Sequence, residues 1–204
     1  MITIIDYGVG NINAFVNVYK RLDVPVKIAK TKEDLIGAEK LILPGVGHFD
    51  HAMQQLNQSG MRETLDELVL IENIPVIGIC VGMQMMANSS EEGKEEGLKW
   101  IDASVKKFDE TKIHQVTRLP HMGWNDVKPC LDNPLFAGLE HDAIFYFLHT
   151  YYFECNKKED VLAVTEYGDE FASSAFHMNR YGIQFHPEKS HSYGEILLRN
   201  FAKL

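Results

Sequence analysis

Apolar residues in the first half of the chain fall into short continuous runs separated by stretches of helical spacing. Ile2 to Ile5 reads as a first short, mostly apolar strand, Val26 to Ala29 as a second and Lys40 to Leu43 as a third. A fourth runs from Pro75 to Ile79. Runs this short and this apolar predict strands buried on both faces. Between them the pattern turns helical: a stretch to about Leu22, one with Phe49, Ala52, Met53 and Leu56 on one side, and one with Met61, Leu65, Leu68 and Val69. Met83 to Ala87 predicts a further helix after the fourth strand. Strands alternating with helices through short glycine turns imply a mostly parallel sheet flanked by helices.

Beyond Ala87 the pattern changes. Asn88 to Gly97 is polar, acidic and glycine-containing and predicts a solvated surface connector. From Trp100 to about Phe185 the segments read as strands, among them Ala143–Leu148, Val161–Val164 and Tyr181–Phe185. Turns at Asn133-Pro134, Tyr167-Gly168-Asp169 and Asn179-Arg180 separate them. Additional antiparallel strands are therefore expected in the C-terminal half. The last element is a helix over 192–204. Ser192 and Glu195 stand at capping-box spacing, and Ile196, Leu197, Asn200 and Phe201 trace its inner face. With no repeats, low-complexity tracts or linkers, residues 1–204 are expected to form one domain.

Two turns carry candidate chemistry. Gly8-x-Gly10 follows the first strand as a dinucleotide fingerprint would, but Asn13 stands where its third glycine belongs, so a tight strand-to-helix turn is the better reading. Gly78-Ile79-Cys80-Val81-Gly82 is the cysteine version of a nucleophile elbow, in which small flanking residues let a strained turn hold the nucleophile above the sheet edge. A helix N-terminus behind it favours thiolate over thiol. Taken alone, Cys80 reads equally well as a buried structural thiol.

Composition narrows the classes. Of 204 residues, 45% are hydrophobic and 24% charged, as in an ordinary globular protein. Net charge is 20 − 29 = −9, which argues against a nucleic-acid partner bound through a basic face. Three cysteines (Cys80, Cys130, Cys155) without C-x-x-C spacing argue against a disulfide framework or a zinc site. Neither a signal peptide nor a membrane span is expected, and a reducing cytoplasm fits the cysteine usage.

A cysteine nucleophile needs a base and a group to orient it. His186-Pro187-Glu188 supplies both: in an extended segment residues i and i+2 share a side, so Glu188 reaches toward the His186 ring. The segment follows a predicted strand and should also sit at a sheet edge. The other eight histidines (His48, His51, His114, His121, His141, His149, His177, His191) lack this combination, and most are expected in loops or at the surface.

With these residues in place, Leu43-Pro44-Gly45-Val46-Gly47, Gly78–Gln84 and Gln184–Glu188 closely resemble the three signature segments of class I, triad-type glutamine amidotransferases. Pro120–Asn125 and Phe145–Tyr151 narrow the resemblance to the glutaminase subunits of imidazole glycerol phosphate synthases. It implies a flavodoxin-like class I glutaminase fold, hydrolysis of L-glutamine to glutamate and ammonia by Cys80, His186 and Glu188, and no cofactor or metal. It further implies an oxyanion hole from Val81 with Gly45 and Val46, glutamine contacts from Gly47, Gln84, Glu92 and Thr150, and a heterodimer with a (β/α)₈-barrel cyclase subunit. Asn11, Met122, Trp124, Tyr146 and Lys189 match family positions near that interface. Close paralogues feed ammonia to sugar amidotransferases of surface-polysaccharide biosynthesis, and Lys189–Gly194 and Gly97–Ile101 resemble those at least as well. A third reading is a non-catalytic flavodoxin-like binding module, against which the intact Cys80, His186 and Glu188 speak.

Overall fold

The alternation of the first half is realised in the computed structural model, which describes residues 1–204. In chain order it runs β1 (Ile2–Ile5), α1 (Ile12–Arg21), β2 (Val26–Ala29), β3 (Leu41–Gly45), α2 (Phe49–Gln58) and α3 (Arg62–Asp66). A π-helical turn, Glu67–Ile71, leads to β4 (Val76–Cys80) and α4 (Val81–Met85). The second half supplies β5 (Ser89–Ser90), β6 (Ala103–Lys107), β7 (His121–Asp126), β8 (Lys128–Pro129), β9 (Ile144–His149), β10 (Tyr151–Cys155), β11 (Val161–Tyr167), β12 (Asp169–His177) and β13 (Arg180–Ile183). The chain closes with α5 (His191–Lys203).

Strands β2, β1, β3, β4 and β13 are mutually parallel and form one end of an eleven-stranded sheet, with β2 at its edge. From β13 onward β12, β10 and β6 add antiparallel strands. Every residue of β1, β3, β4 and β13 is buried. Because successive strand residues point to opposite faces, both faces of this part are covered. Helix α1 packs against α5, where the Tyr19 hydroxyl donates to the Leu198 carbonyl at 3.2 Å, and α2 packs against α4. No helix is long and apolar enough to cross a membrane.

Parallel pairing brings the C-terminal ends of β1, β3, β4 and β13 to one edge. Ile79 lies level with Pro44 and with Ile183, and Gly45 with Cys80. The residues that follow each strand (Asn11, Val46, Val81, His186) therefore gather there, the usual ligand-binding edge of an open α/β sheet.

Several sequence expectations are corrected. Helix α4 begins at Val81, directly after Cys80, not at Met83. The Ala143–Leu148 run forms β9, which leaves the main sheet and pairs with β7 alone. Its role explains the departure. Tyr146 uses its backbone carbonyl to accept from His186 N–H at 2.8 Å and its N–H to donate to Ser190 Oγ at 3.0 Å, so β9 clamps the loop after β13.

The 88–97 segment is not a free connector. Glu92 Oε2 accepts from Phe49 N–H at the start of α2, and the Asp50 carboxylate accepts from Lys94 and Glu95 N–H. The capping box at Ser192 does not form. Helix α5 starts at His191, and Glu195 instead holds Arg21 at 2.8 and 2.9 Å. Ser190 precedes the helix, but its hydroxyl is committed to Tyr146 N–H and the His186 carbonyl.

Gly194 lets α5 approach that same loop: a Cβ there would lie 1.8 Å from the Pro187 carbonyl oxygen. Gly194→Ala should therefore push the 187–190 loop off α5, cost about 2 kcal/mol of stability and lower activity with it. Urea denaturation checks this, and an unchanged unfolding midpoint would refute the packing argument.

Candidate active site

Cys80 ends β4 at φ +55° and ψ −113°, outside the regions a non-glycine residue ordinarily occupies. Such strain persists only where the surroundings over-determine it, and it marks functional turns. What permits it is Gly82, whose bare α-carbon sits against the neighbouring strand; a Cβ there would lie 2.0 Å from the Leu43 carbonyl oxygen. Helix α4 is only five residues long, so what it offers at Cys80 is its first unpaired N–H groups rather than a long dipole.

His186 and Glu188 arrive from β13. The segment is not extended as the i, i+2 argument supposed; Pro187–Lys189 is a 3₁₀ turn. The contact forms all the same, with His186 Nδ1 2.8 Å from Glu188 Oε1 and both side chains almost wholly buried. A carboxylate only accepts, so Nδ1 carries the hydrogen. The second oxygen, Glu188 Oε2, has no partner, and the buried charge is answered by the imidazole alone. Burial disfavours the charged ring, but the hydrogen bonds to Cys80 and Glu188 outweigh it and push His186 up to about 10. The imidazolium form is thus the favoured one at His186.

Beside the thiol opens a cavity of about 420 Å³, within the range of small-molecule sites. Val46, Gly47, Val81, Gln84, Glu92 and Thr150 all line it, as does Lys189. Gly45 lies beneath, in register with Cys80. With Glu92 Oε2 held by α2, Oε1 makes no hydrogen bond and is free for a cationic group. A larger groove of about 520 Å³ elsewhere includes Cys155 but no base positioned for it, and burial pushes that thiol up to about 12.

The five residues matched to a partner surface flank the same edge. Met122 and Trp124 are exposed on β7, and Trp124 lies opposite Tyr146 in register. Lys189 Nζ sits 5.7 Å above the Tyr146 ring, and the Trp124 ring stacks on His191. Exposed Asn11 precedes α1, which touches the 187–189 turn.

Three polar residues near the thiol escaped the sequence reading. Gln184, fully buried, donates from Nε2 to Cys80 Sγ at 3.8 Å and accepts from Gln84 Nε2 at 3.0 Å. His121 and His149, two of the eight histidines expected mostly in loops or at the surface, are buried with His121 Nδ1 and His149 Nε2 2.9 Å apart. The signal was available: His149 shares the inward parity of Phe145 and Phe147 along β9. Burial pushes His121 down to about 4, and burial with its neighbour pushes His149 down to about 3.

Known proteins match throughout. The family described as glutamine amidotransferase class-I matches residues 3–204. An imidazole glycerol phosphate synthase subunit HisH of Bdellovibrio bacteriovorus is 55% identical over 204 residues, spanning the whole of both chains. The subunit of the same name from Leptospira interrogans is 50% identical, again over the whole of both. Among solved structures, one described as a glutamine amidotransferase superposes with a TM-score of 0.76, covering 100% of this chain and 99% of that one. At 21% identity it speaks for the fold alone. Relatives matched at full length carry the synthase-subunit name, so the sugar-amidotransferase alternative is not favoured. Membership in the family, with relatives of 50–55% identity at full length, sets aside the non-catalytic module.

The depressed histidines make a pH prediction. Unfolded, both rings would titrate near 6.5, so below that value the unfolded chain takes up protons that the folded one refuses. Their contribution is present above 6.5 and lost as pH falls toward the folded values. His186, raised instead, contributes stability present below 6.5 and lost as pH rises through about 10. Unfolding free energy should drop by about 2 kcal/mol for each buried ring at about pH 5. Denaturant titration between pH 7 and 5, above most carboxylate titration, tests this; a flat profile would refute it.

Proposed function

The chain belongs to the class-I glutamine amidotransferase family, and on that footing we propose that it is the glutaminase subunit of an imidazole glycerol phosphate synthase. The observation that carries this reading is the Cys80–His186–Glu188 constellation at the wall of a cavity of suitable size. Residues 1–204 act as one amidotransferase domain, and an enzyme relying on an unpaired thiol suits the reducing cytoplasm.

The thiol proton resides on His186, and Cys80 Sγ attacks the carboxamide carbon of L-glutamine. Glu188 holds the ring through Nδ1–H, so Nε2 is the nitrogen that faces the reaction. The oxyanion that forms takes hydrogen bonds from the Val81 N–H and from the peptide at Gly45 and Val46. When the C–N bond breaks, His186 returns its proton to the nitrogen and ammonia leaves a γ-glutamyl thioester. Water, deprotonated by the now neutral His186, attacks the thioester; the C–S bond breaks and glutamate departs. Glu92 Oε1 suits the substrate's α-ammonium, while Gly47, Gln84 and Thr150 line the rest of its path.

At neutral pH free ammonia becomes ammonium, a poor nucleophile, so the product must pass directly to the enzyme that uses it. We assign the surface of Asn11, Met122, Trp124, Tyr146 and Lys189 to a (β/α)₈-barrel cyclase subunit. In that heterodimer the cyclase consumes the ammonia to make imidazole glycerol phosphate and aminoimidazole carboxamide ribotide. Trp and Met at such a surface match the composition of interface cores.

Cys80→Ala should lower glutamine-dependent synthesis by about 10³-fold or more while added ammonium still drives the partner reaction. Retained glutamine use by this variant would overturn the assignment of the nucleophile. The isolated chain should hydrolyse glutamine poorly, with turnover rising when the cyclase and its acceptor substrate are added. Full activity of the isolated chain would rule out the coupling.

A further inference from the structure

His121 and His149 take no part in the chemistry above, yet every polar atom of both rings is engaged. The direction of their hydrogen bonds can be settled from either end. The Tyr151 carbonyl, 2.8 Å from His149 Nδ1, can only accept, so Nδ1 carries the hydrogen and Nε2 is an acceptor. His121 Nδ1, 2.9 Å away, must then be the donor. At the other end Asn125 Nδ2 donates to the Glu166 carbonyl at 2.9 Å, which fixes the amide orientation. The same nitrogen, 3.2 Å from His121 Nε2, donates there too. Both ends give the same tautomers.

The order continues into the cavity wall. Gln84 Nε2 also donates to the Tyr151 carbonyl, at 3.0 Å, and its second hydrogen goes to Gln184 Oε1 at 3.0 Å. Both amide hydrogens of Gln84 are committed inward. Only its Oε1 remains for a substrate.

We propose that His121 and His149 are positioning residues for the glutamine site, locked in one tautomeric order that holds the Tyr151 carbonyl and, through it, aims Gln84 as an acceptor. The inference rests on the glutaminase reading. It explains why two histidines occupy an otherwise aromatic box: His121 is stacked between Phe147 and Tyr167, while Phe108 and Phe171 pack on His149. A phenylalanine pair would fill that box, but it would leave the Tyr151 carbonyl held by Gln84 alone. Tyr167 against His121 and His186 near His149 are the titratable neighbours, and no carboxylate bonds either ring. A proton added to His149 Nε2 would face the N–H of His121.

The test is steady-state glutamine hydrolysis by the chain in complex with its cyclase subunit, with iodoacetamide inactivation of Cys80 as a second readout. H121F keeps the stacking but removes the donor. It should raise KM for glutamine about ten-fold while kcat and the alkylation rate move less than about two-fold. H121N, whose amide can donate where Nδ1 did, should recover most of that loss. H121F should also add little to the KM of Q84A, because both act on one contact. A merely structural pair would lower the melting temperature and leave KM alone. An unchanged KM for H121F, or KM effects of H121F and Q84A that multiply, overturns the proposal. If H121F does not fold, H121N against H121Q decides: a KM raised by H121Q and kept by H121N supports the order, and the reverse or equal values overturn it. Loss of the glutaminase reading itself would show differently, as glutamine hydrolysis that survives Cys80→Ala.

Discussion

Cys80 can stand at φ +55° and ψ −113° because Gly82 has no side chain to collide with the Leu43 carbonyl, and because the pairing of β4 with β3 and β13 holds the strand up to the turn. The rest of this sheet edge depends on that constraint. It turns the chain from strand to helix within one residue, leaves the thiol beyond the sheet, and places the Val81 N–H directly behind it. The register then puts Gly45 level with the thiol on one side and Gln184 just beyond Ile183 on the other. A residue less constrained would relax toward an ordinary region of φ/ψ space and withdraw the sulfur.

The antiparallel half serves this edge. β9 does not extend the main sheet; its Tyr146 backbone holds His186 and Ser190, and Ser190 in turn bonds the His186 carbonyl. The 91–95 segment ties its backbone to Asp50 and hands Glu92 to the start of α2. Segments that look peripheral in the chain thus set the loop that carries His186 and the carboxylate that faces the cavity.

Two kinds of buried histidine lie within this small volume and are driven to opposite protonation states. His186 is raised because a buried carboxylate and the Cys80 thiol face it. His149 is lowered by burial inside a wall of aromatic rings and by the imidazole beside it, and its hydrogen bond to the Tyr151 carbonyl opposes this without reversing it. Burial alone would depress all of them, so the neighbours decide. The charged form is thereby favoured at one ring while the other two stay neutral.

The strands, the elbow at Cys80 and the His186–Glu188 pair could be read from residue order because each is local: apolar runs, a glycine-flanked turn and two residues two apart. Even there the reason differed, since a 3₁₀ turn rather than an extended segment joins His186 to Glu188. The capping box at Ser192 misled because spacing cannot reveal that the neighbouring Ser190 is spoken for by β9 and that Glu195 is needed by Arg21. Nor could the sequence place Gln184 against the sulfur or join His121 to His149, contacts that span 104 and 28 positions. Those depend on strand register, and register is settled only when the whole sheet buries its faces together.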